Sequence, residues 1–230
     1  MIKNYSNPDP LKERFSGYLP VVIDIETGGL EPLKNPILEI ATVLIEINQE
    51  KKLHPGELFS CHVLPFEGAT LNPVSLEITR IDPYHPFRFA IEEKKALEEL
   101  FVFVKTAMVT HNCRQAVLVG HNAHFDLSFI KAAIKRCKIK KSPFHTFTCF
   151  DTATLAATVF GKPVLAKALR EACIPFDKNE AHSAIYDAKC TAKLFCYIVN
   201  KIGRRWQREK KQDSFSASFP FIAERNSERE

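Results

Sequence analysis

The sequence predicts one α/β domain built on a mixed five-stranded sheet flanked by helices. Three observations predict it. Three apolar, β-branched runs fall within the first 64 residues, separated by polar or Pro-containing connections, which suits antiparallel neighbours. Two further short apolar runs come later and alternate with helical patterns, so these strands join by helical crossovers. The length of 230 residues, with 45% apolar and 26% charged residues, fits a single sizeable domain with a tail.

Residues 1–18 are polar, carry Pro8 and Pro10, and predict an N-terminal arm before a domain over 19–203. Leu19 to Ile25 is the first strand, ending in the turn Gly28-Gly29. A Pro-containing loop leads to the β-branched run Ile37 to Ile47, the second strand, and Asn48 to Lys52 is a polar turn. Leu58 to Leu64 alternates enough for a third strand. A Pro- and Gly-rich stretch follows, with one short helical piece at about Pro73 to Thr79. Leu97, Leu100, Phe101, Val104, Ala107 and Met108 then mark an amphipathic helix.

Ala116 to Gly120 is continuously apolar, as a buried strand is, and leads into a helix from about Phe125 to Arg136. Phe147 to Phe150 is a short fifth strand. Helices follow at Thr152 to Phe160, with Asp151 as N-cap and Gly161 as stop, and at Val164 to Cys173 before Pro175. In the last helix Ile185, Ala188, Ala192, Phe195, Val199 and Ile202 recur at spacings of three and four, and Gly203 is read as its end. Residues 204–230 are basic, then polar, and are read as a disordered tail.

No run approaches the ~18 apolar residues of a membrane span. The first eight residues lack a signal-peptide core, so a cytoplasmic protein without membrane contact is expected. Seven scattered cysteines without a Cys-x-x-Cys pair argue against a zinc or redox site. Net charge is +5, but Lys135 to Lys141 and Arg204 to Lys211 concentrate it, which suits a polyanionic partner as well as ordinary solvated surface.

The chemistry starts from Val21-Val22-Ile23-Asp24-Ile25-Glu26. Residues two apart on a strand share a face, so Asp24 and Glu26 project together. Taken alone, the pair fits a strand running out into a polar turn. Two further places supply acids: Asp126, just after the apolar run ending at Gly120, and Asp187, near the start of the last helix. His182 lies five residues before Asp187, too far round a helix to share its face, so it is placed ahead of the helix with Ser183 as N-cap. Four carboxylates and no thiolate specify a hard, oxygen-loving ion. Two such ions ~3.5–4 Å apart suit in-line phosphoryl transfer. Magnesium is the expected cofactor, two per site, with manganese able to substitute. A histidine of ordinary pKa, ~6.5, suits proton transfer from water near neutral pH.

Val22 to Gly29, His121-Asn122-Ala123-His124-Phe125-Asp126 and His182 to Ala188 resemble, in order, the three motifs of the DEDDh 3′–5′ exonucleases. Within that family the chain is similar to the ribonuclease T group. Tyr18 to Asp24, Pro143-Phe144-His145, Phe150 to Ala153, Ala181 to Ala184 and Leu194 to Asn200 carry this resemblance, which spans roughly 14–201. It implies an RNase H-like fold. It also implies trimming of single-stranded 3′ ends of tRNA and other stable RNA precursors, with release of nucleoside 5′-monophosphates. Asp24, Glu26, Asp126 and Asp187 would hold metal and His182 would be the general base. A homodimer is implied, in which a basic patch of one subunit feeds RNA to the other's site; Arg14, Arg114, Lys140 and Lys141 are the candidates. Phe125 and Phe147 match base-stacking positions. Leu30 and Ile78 stand where the group has other wedges, and Val74 where it has a base-contacting glutamate. Two alternatives stay open: a proofreading-type DNA exonuclease subunit, acting on single-stranded DNA, and a non-catalytic RNA-binding protein.

Overall fold

The computed structural model describes residues 10–216, and side chains over 11–203. The strands are β1 (Tyr18–Thr27), β2 (Ile37–Ile47), β3 (Leu53–His62), β4 (Gln115–Gly120) and β5 (Phe144–Asp151). The helices are α1 (Pro10–Arg14), α2 (Pro73–Thr79), α3 (Glu93–Thr110), α4 (His124–Arg136), α5 (Thr152–Phe160), α6 (Leu165–Glu171) and α7 (Ala184–Ser216). They form one five-stranded sheet in the order β3-β2-β1-β4-β5. The first three strands are antiparallel, and β1, β4 and β5 run parallel. The expected mixed sheet is present, with both central strands buried along nearly their whole length. Continuous burial requires cover on both faces. It comes from α7, which packs against β1–β3, from α3 against β2–β4 and from α4 against β1, β4 and β5. A second apolar cluster joins α5, α6 and α7 through Leu169, Leu194 and Ile198. Among the described residues no helix is long and apolar enough to cross a membrane.

Several boundaries differ from those the sequence predicts. The arm is folded in its second half: α1 buries Leu11 completely, and β1 begins at Tyr18. Residues 1–9 lie outside the described part. The third strand starts at Leu53, not Leu58, and contains Pro55. That proline is tolerated because β3 is an edge strand and its pairing with β2 is interrupted between Val43 and Ile45. The fifth strand begins at Phe144, three residues early.

Gly203 does not end the last helix, which continues to Ser216. The glycine has a packing reason: a Cβ there would come within 2.8 Å of the Arg14 guanidinium. The expected disordered tail is therefore helical over 204–216, and 217–230 lie outside the described residues.

Candidate active site

The site forms where three elements end together. β1 delivers Asp24 and Glu26. The turn after β4 delivers Asp126 in the first turn of α4, and the start of α7 delivers Asp187. Asp126 reaches back under β1, and its Oδ1 accepts the Ile25 amide at 3.1 Å. That approach needs Gly120, because a Cβ there would meet Ala123 Cα at 3.0 Å and Asp126 Oδ2 at 3.2 Å. His182 is exposed, has left-handed backbone (φ 66°), and donates its amide to Asp187 Oδ2 at 2.9 Å. It stands ahead of α7, as the sequence suggests. Ser183, at the N-cap position, accepts the Asp187 amide on its carbonyl.

The electrostatics require a partner for these acids. Burial pushes Asp24 well above the usual carboxylate range, and the charges of Asp126, Glu26, Asp187 and Glu39 add to it. Burial, then Asp187, Glu39 and Asp126, push Glu26 up to about 8. Burial raises Asp126 to about 7 against the bond from Ile25, and burial also raises Asp187. Close carboxylates cannot all ionise without a cation. Asp187 Oδ1 is buried with no hydrogen-bond partner. One ligand atom from each of Glu26, His182 and Asp187 lies within 4.8 Å of the others. A crowded set of oxygen donors with an orphaned carboxylate oxygen fits a hard divalent cation.

Two supports escaped the sequence reading. The first is Glu39, which sits directly opposite Glu26 in the β1–β2 register, with His62 opposite it on β3. Glu39 Oε1 lies 3.0 Å from His62 Nδ1, and Oε2 accepts the Ala184 amide at 3.4 Å. Glu39 therefore ties β2 to the start of α7, two residues from His182. Its signal was one acid inside the apolar run Leu38-Glu39-Ile40.

The second is a further role of Asp151. It caps α5 through Ala153 and Thr154 as expected, but Oδ1 also accepts the amides of Asn122 (2.7 Å) and Ala123 (3.2 Å). It thus pins the loop that aims Asp126. His121 fixes the same loop: its Nδ1 lies 3.0 Å from Thr152 Oγ1, and its Nε2 lies 2.8 Å from the Pro163 carbonyl.

The candidate base contacts divide. Phe147 is 82% exposed, with Lys131 Nζ 5.6 Å from its ring centre, so it is not a core residue. Phe125 is half-buried against Phe129. Leu30, Val74 and Ile78 are all exposed, the last two one helical turn apart on α2. The glycine turn joins these parts: Gly28 donates to Pro36 and accepts from Asn72, the α2 N-cap. Gly28 and Gly29 are required by the protein itself. Added Cβ atoms would meet Leu71 and Pro36, or the Asn35 side chain, at 2.8 Å or less.

The candidate RNA-binding cations lie elsewhere. Arg114 stacks over Tyr18 at 4.4 Å, at the N-terminal end of β1 and β4. Lys140 and Lys141 border a cavity with Gln115 and His145 at the same end. The acids occupy the opposite end of β1, eight residues from Tyr18 to Glu26, or ~26 Å along a strand. Arg14 is committed to the fold: its guanidinium bonds the Val199 carbonyl at 3.0 Å and the Lys51 carbonyl at 3.2 Å.

Comparison with known proteins agrees with this geometry. A family model described as Exonuclease matches residues 21–195. The chain is 49% identical over 201 residues to a ribonuclease T of Photorhabdus laumondii, covering 87% of this chain and 91% of that one. It is 50% identical over 192 residues to a ribonuclease T of Vibrio cholerae, covering 83% and 86%. E. coli exonuclease I bound to a dT13 oligonucleotide shares the fold at TM-score 0.63 and 16% identity, over 83% of this chain and 43% of that one. A full-length 3′-exonuclease does so at TM-score 0.62 and 16% identity, over 83% and 82%. The sheet is thus the RNase H-like sheet, and the chain belongs to the exonuclease family and, within it, to the ribonuclease T group.

Proposed function

We propose that the protein is a 3′–5′ exoribonuclease that trims single-stranded 3′ ends of tRNA and other stable RNA precursors, releasing nucleoside 5′-monophosphates. The observation that carries this is the convergence of Asp24, Glu26, Asp126 and Asp187 at one end of the sheet, with exposed His182 beside Asp187. Asp24, Glu26 and Asp187 would hold one divalent cation, and Asp24 with Asp126 a second. Magnesium is the proposed ion, with manganese as substitute. When bound, these ions supply charge for the attacked phosphate and lower the pKa of water. The residues of the chain do the rest. Asp126 is held in place by the Ile25 amide and by the Asp151-pinned loop. His182 takes the water's proton on its imidazole, and its backbone bond to Asp187 keeps it at hand.

The separation of acids from Arg114, Lys140 and Lys141 supports a homodimer. Cations at the far end of the sheet cannot hold the nucleotides entering their own site, whereas a partner's cations can. Phe125 and Phe147 would stack terminal bases, with Leu30 and Ile78 as apolar wedges. The proposed setting is the cytoplasm.

Digestion of 3′-labelled RNA ending in each dinucleotide, with magnesium and with EDTA, tests the reading. Stepwise release of labelled nucleoside 5′-monophosphate, stopped by EDTA, is expected. Internal cleavage, or activity that survives EDTA, would overturn it. Single-stranded DNA in parallel separates the proofreading alternative.

A further inference from the structure

The connection between α2 and α3 carries three large rings that the fold does not use. Tyr84, Phe87 and Phe89 are 69%, 77% and 81% exposed. They are nevertheless held firmly. The Asp82 carboxylate accepts the Tyr84 amide at 3.1 Å, and His85 Nδ1 accepts the Phe87 amide at 3.3 Å. Arg88 bonds the Pro83 carbonyl at 3.0 Å and the Leu38 carbonyl at 2.7 Å. Phe89 takes a left-handed backbone (φ 50°), which a bulky side chain adopts only at a cost and where glycine or asparagine would be easier. Neither burial nor local backbone preference accounts for a phenylalanine there.

The loop is attached at the site. Leu38 adjoins Glu39, and Ile91 pairs with the end of β3 through His62 and Leu64. These are the strand ends that carry the Glu26–Glu39–His62 row. The loop also follows directly from α2, which carries Val74 and Ile78. Its one acid between Ile78 and Ile91 is Asp82, turned onto the Tyr84 amide, while Arg80 is exposed. The next carboxylates along the chain, Glu77 and Glu92, are exposed and flank the loop on either side. Exposed aromatic faces on a loop that carries an exposed arginine suit stacked bases and a phosphate backbone.

We propose that Tyr84, Phe87 and Phe89 form a second base-stacking platform, which holds a single RNA strand several nucleotides upstream of its 3′ end. The proposal rests on the exoribonuclease reading. It gives the enzyme a length preference that the terminal-base contacts alone would not produce. It also supplies aromatic surface in a chain that has Leu30 and Ile78 at its wedges.

The test uses the full chain carrying Asp24→Asn, to prevent cleavage, and fluorescent oligoadenylates of two and twelve nucleotides. Without the platform substitutions, the twelve-mer should bind more tightly than the dinucleotide. Changing Tyr84, Phe87 and Phe89 together to alanine should cut twelve-mer affinity about tenfold or more, and so erase most of this advantage. An undiminished length advantage overturns the platform. Phe89→Gly gives a second readout: the melting temperature should hold or rise while twelve-mer affinity falls. A lowered melting temperature with unchanged affinity overturns the proposal. So does sedimentation showing that the triple variant turns a dimer into a monomer, which would assign the rings to a subunit contact. Failure of the unsubstituted protein to release mononucleotides would instead strike the exoribonuclease reading.

Discussion

Replacing Glu26 by glutamine should abolish activity and, without metal, stabilise the fold. Glu26 is 8% exposed, faces Glu39 across the strand pair, and feels Asp187 and Asp126. Its carboxyl is pushed up from an ordinary 4.5 to about 8. A carboxyl raised in the folded state favours folding at low pH, below its unfolded value. That contribution is lost as pH rises through the interval between the two values. At ~1.4 kcal/mol per pH unit, the full interval corresponds to about 5 kcal/mol, of which about 4 kcal/mol is reached at pH 8, where the folded group is half-ionised. Neighbouring carboxyls that take up protons in its place reduce this, so roughly 2–4 kcal/mol is expected. Urea denaturation in EDTA should show Glu26→Gln more stable than the parent by that amount at pH 8, and nearly equal at pH 4.5. Excess magnesium should stabilise the parent and close the gap. A glutamine variant less stable at pH 8 in EDTA, or a gain independent of pH, would refute the idea that uncompensated charge strains this site.

Asp24→Asn should remove nuclease activity while circular dichroism stays native; magnesium-independent activity in this variant would sink the metal mechanism. Asp151→Ala removes acceptors for the Asn122, Ala123, Ala153 and Thr154 amides. It should cost about 2–3 kcal/mol of stability and lower kcat by displacing Asp126. Glu39→Gln keeps the shape but weakens the tie to α7. It should lower kcat about tenfold with little change in KM, and an unchanged kcat would deny it a positioning role. Arg14→Ala should lose about 2 kcal/mol of stability yet leave the salt dependence of RNA binding unchanged. Lys140→Ala with Lys141→Ala should flatten that dependence by about one unit of slope for each phosphate that these lysines neutralise.

The three motifs were legible because each is local. Asp24 and Glu26 share a face by the strand period. Asp126 and Asp187 announce themselves after an apolar run and at a helix start. His182 was placed ahead of its helix by rotation per residue alone. For Phe147 the sequence offers only a match to a base-stacking position, and it is the edge position of its strand that leaves the ring exposed. Arg14 stands in the sequence as an RNA-binding candidate, because nothing local shows that the Val199 and Lys51 carbonyls meet its guanidinium. Gly203 read as a stop for the same reason: its true constraint is that guanidinium, 189 positions away in the chain.

By itself, then, the sequence determined most of the elements, their order along the chain and the oxygen-donor chemistry of the site, since periodicity and motif spacing are properties of neighbouring residues. Tertiary structure alone decided which acids share one field. Strand register set Glu39 against Glu26 and His62 against Glu39, and the β4 turn slid Asp126 beneath Ile25. It also decided that Arg114, Lys140 and Lys141 stand at the far end of the sheet from the acids. Register and strand direction arise from pairing between distant segments, and no local window of the chain contains them.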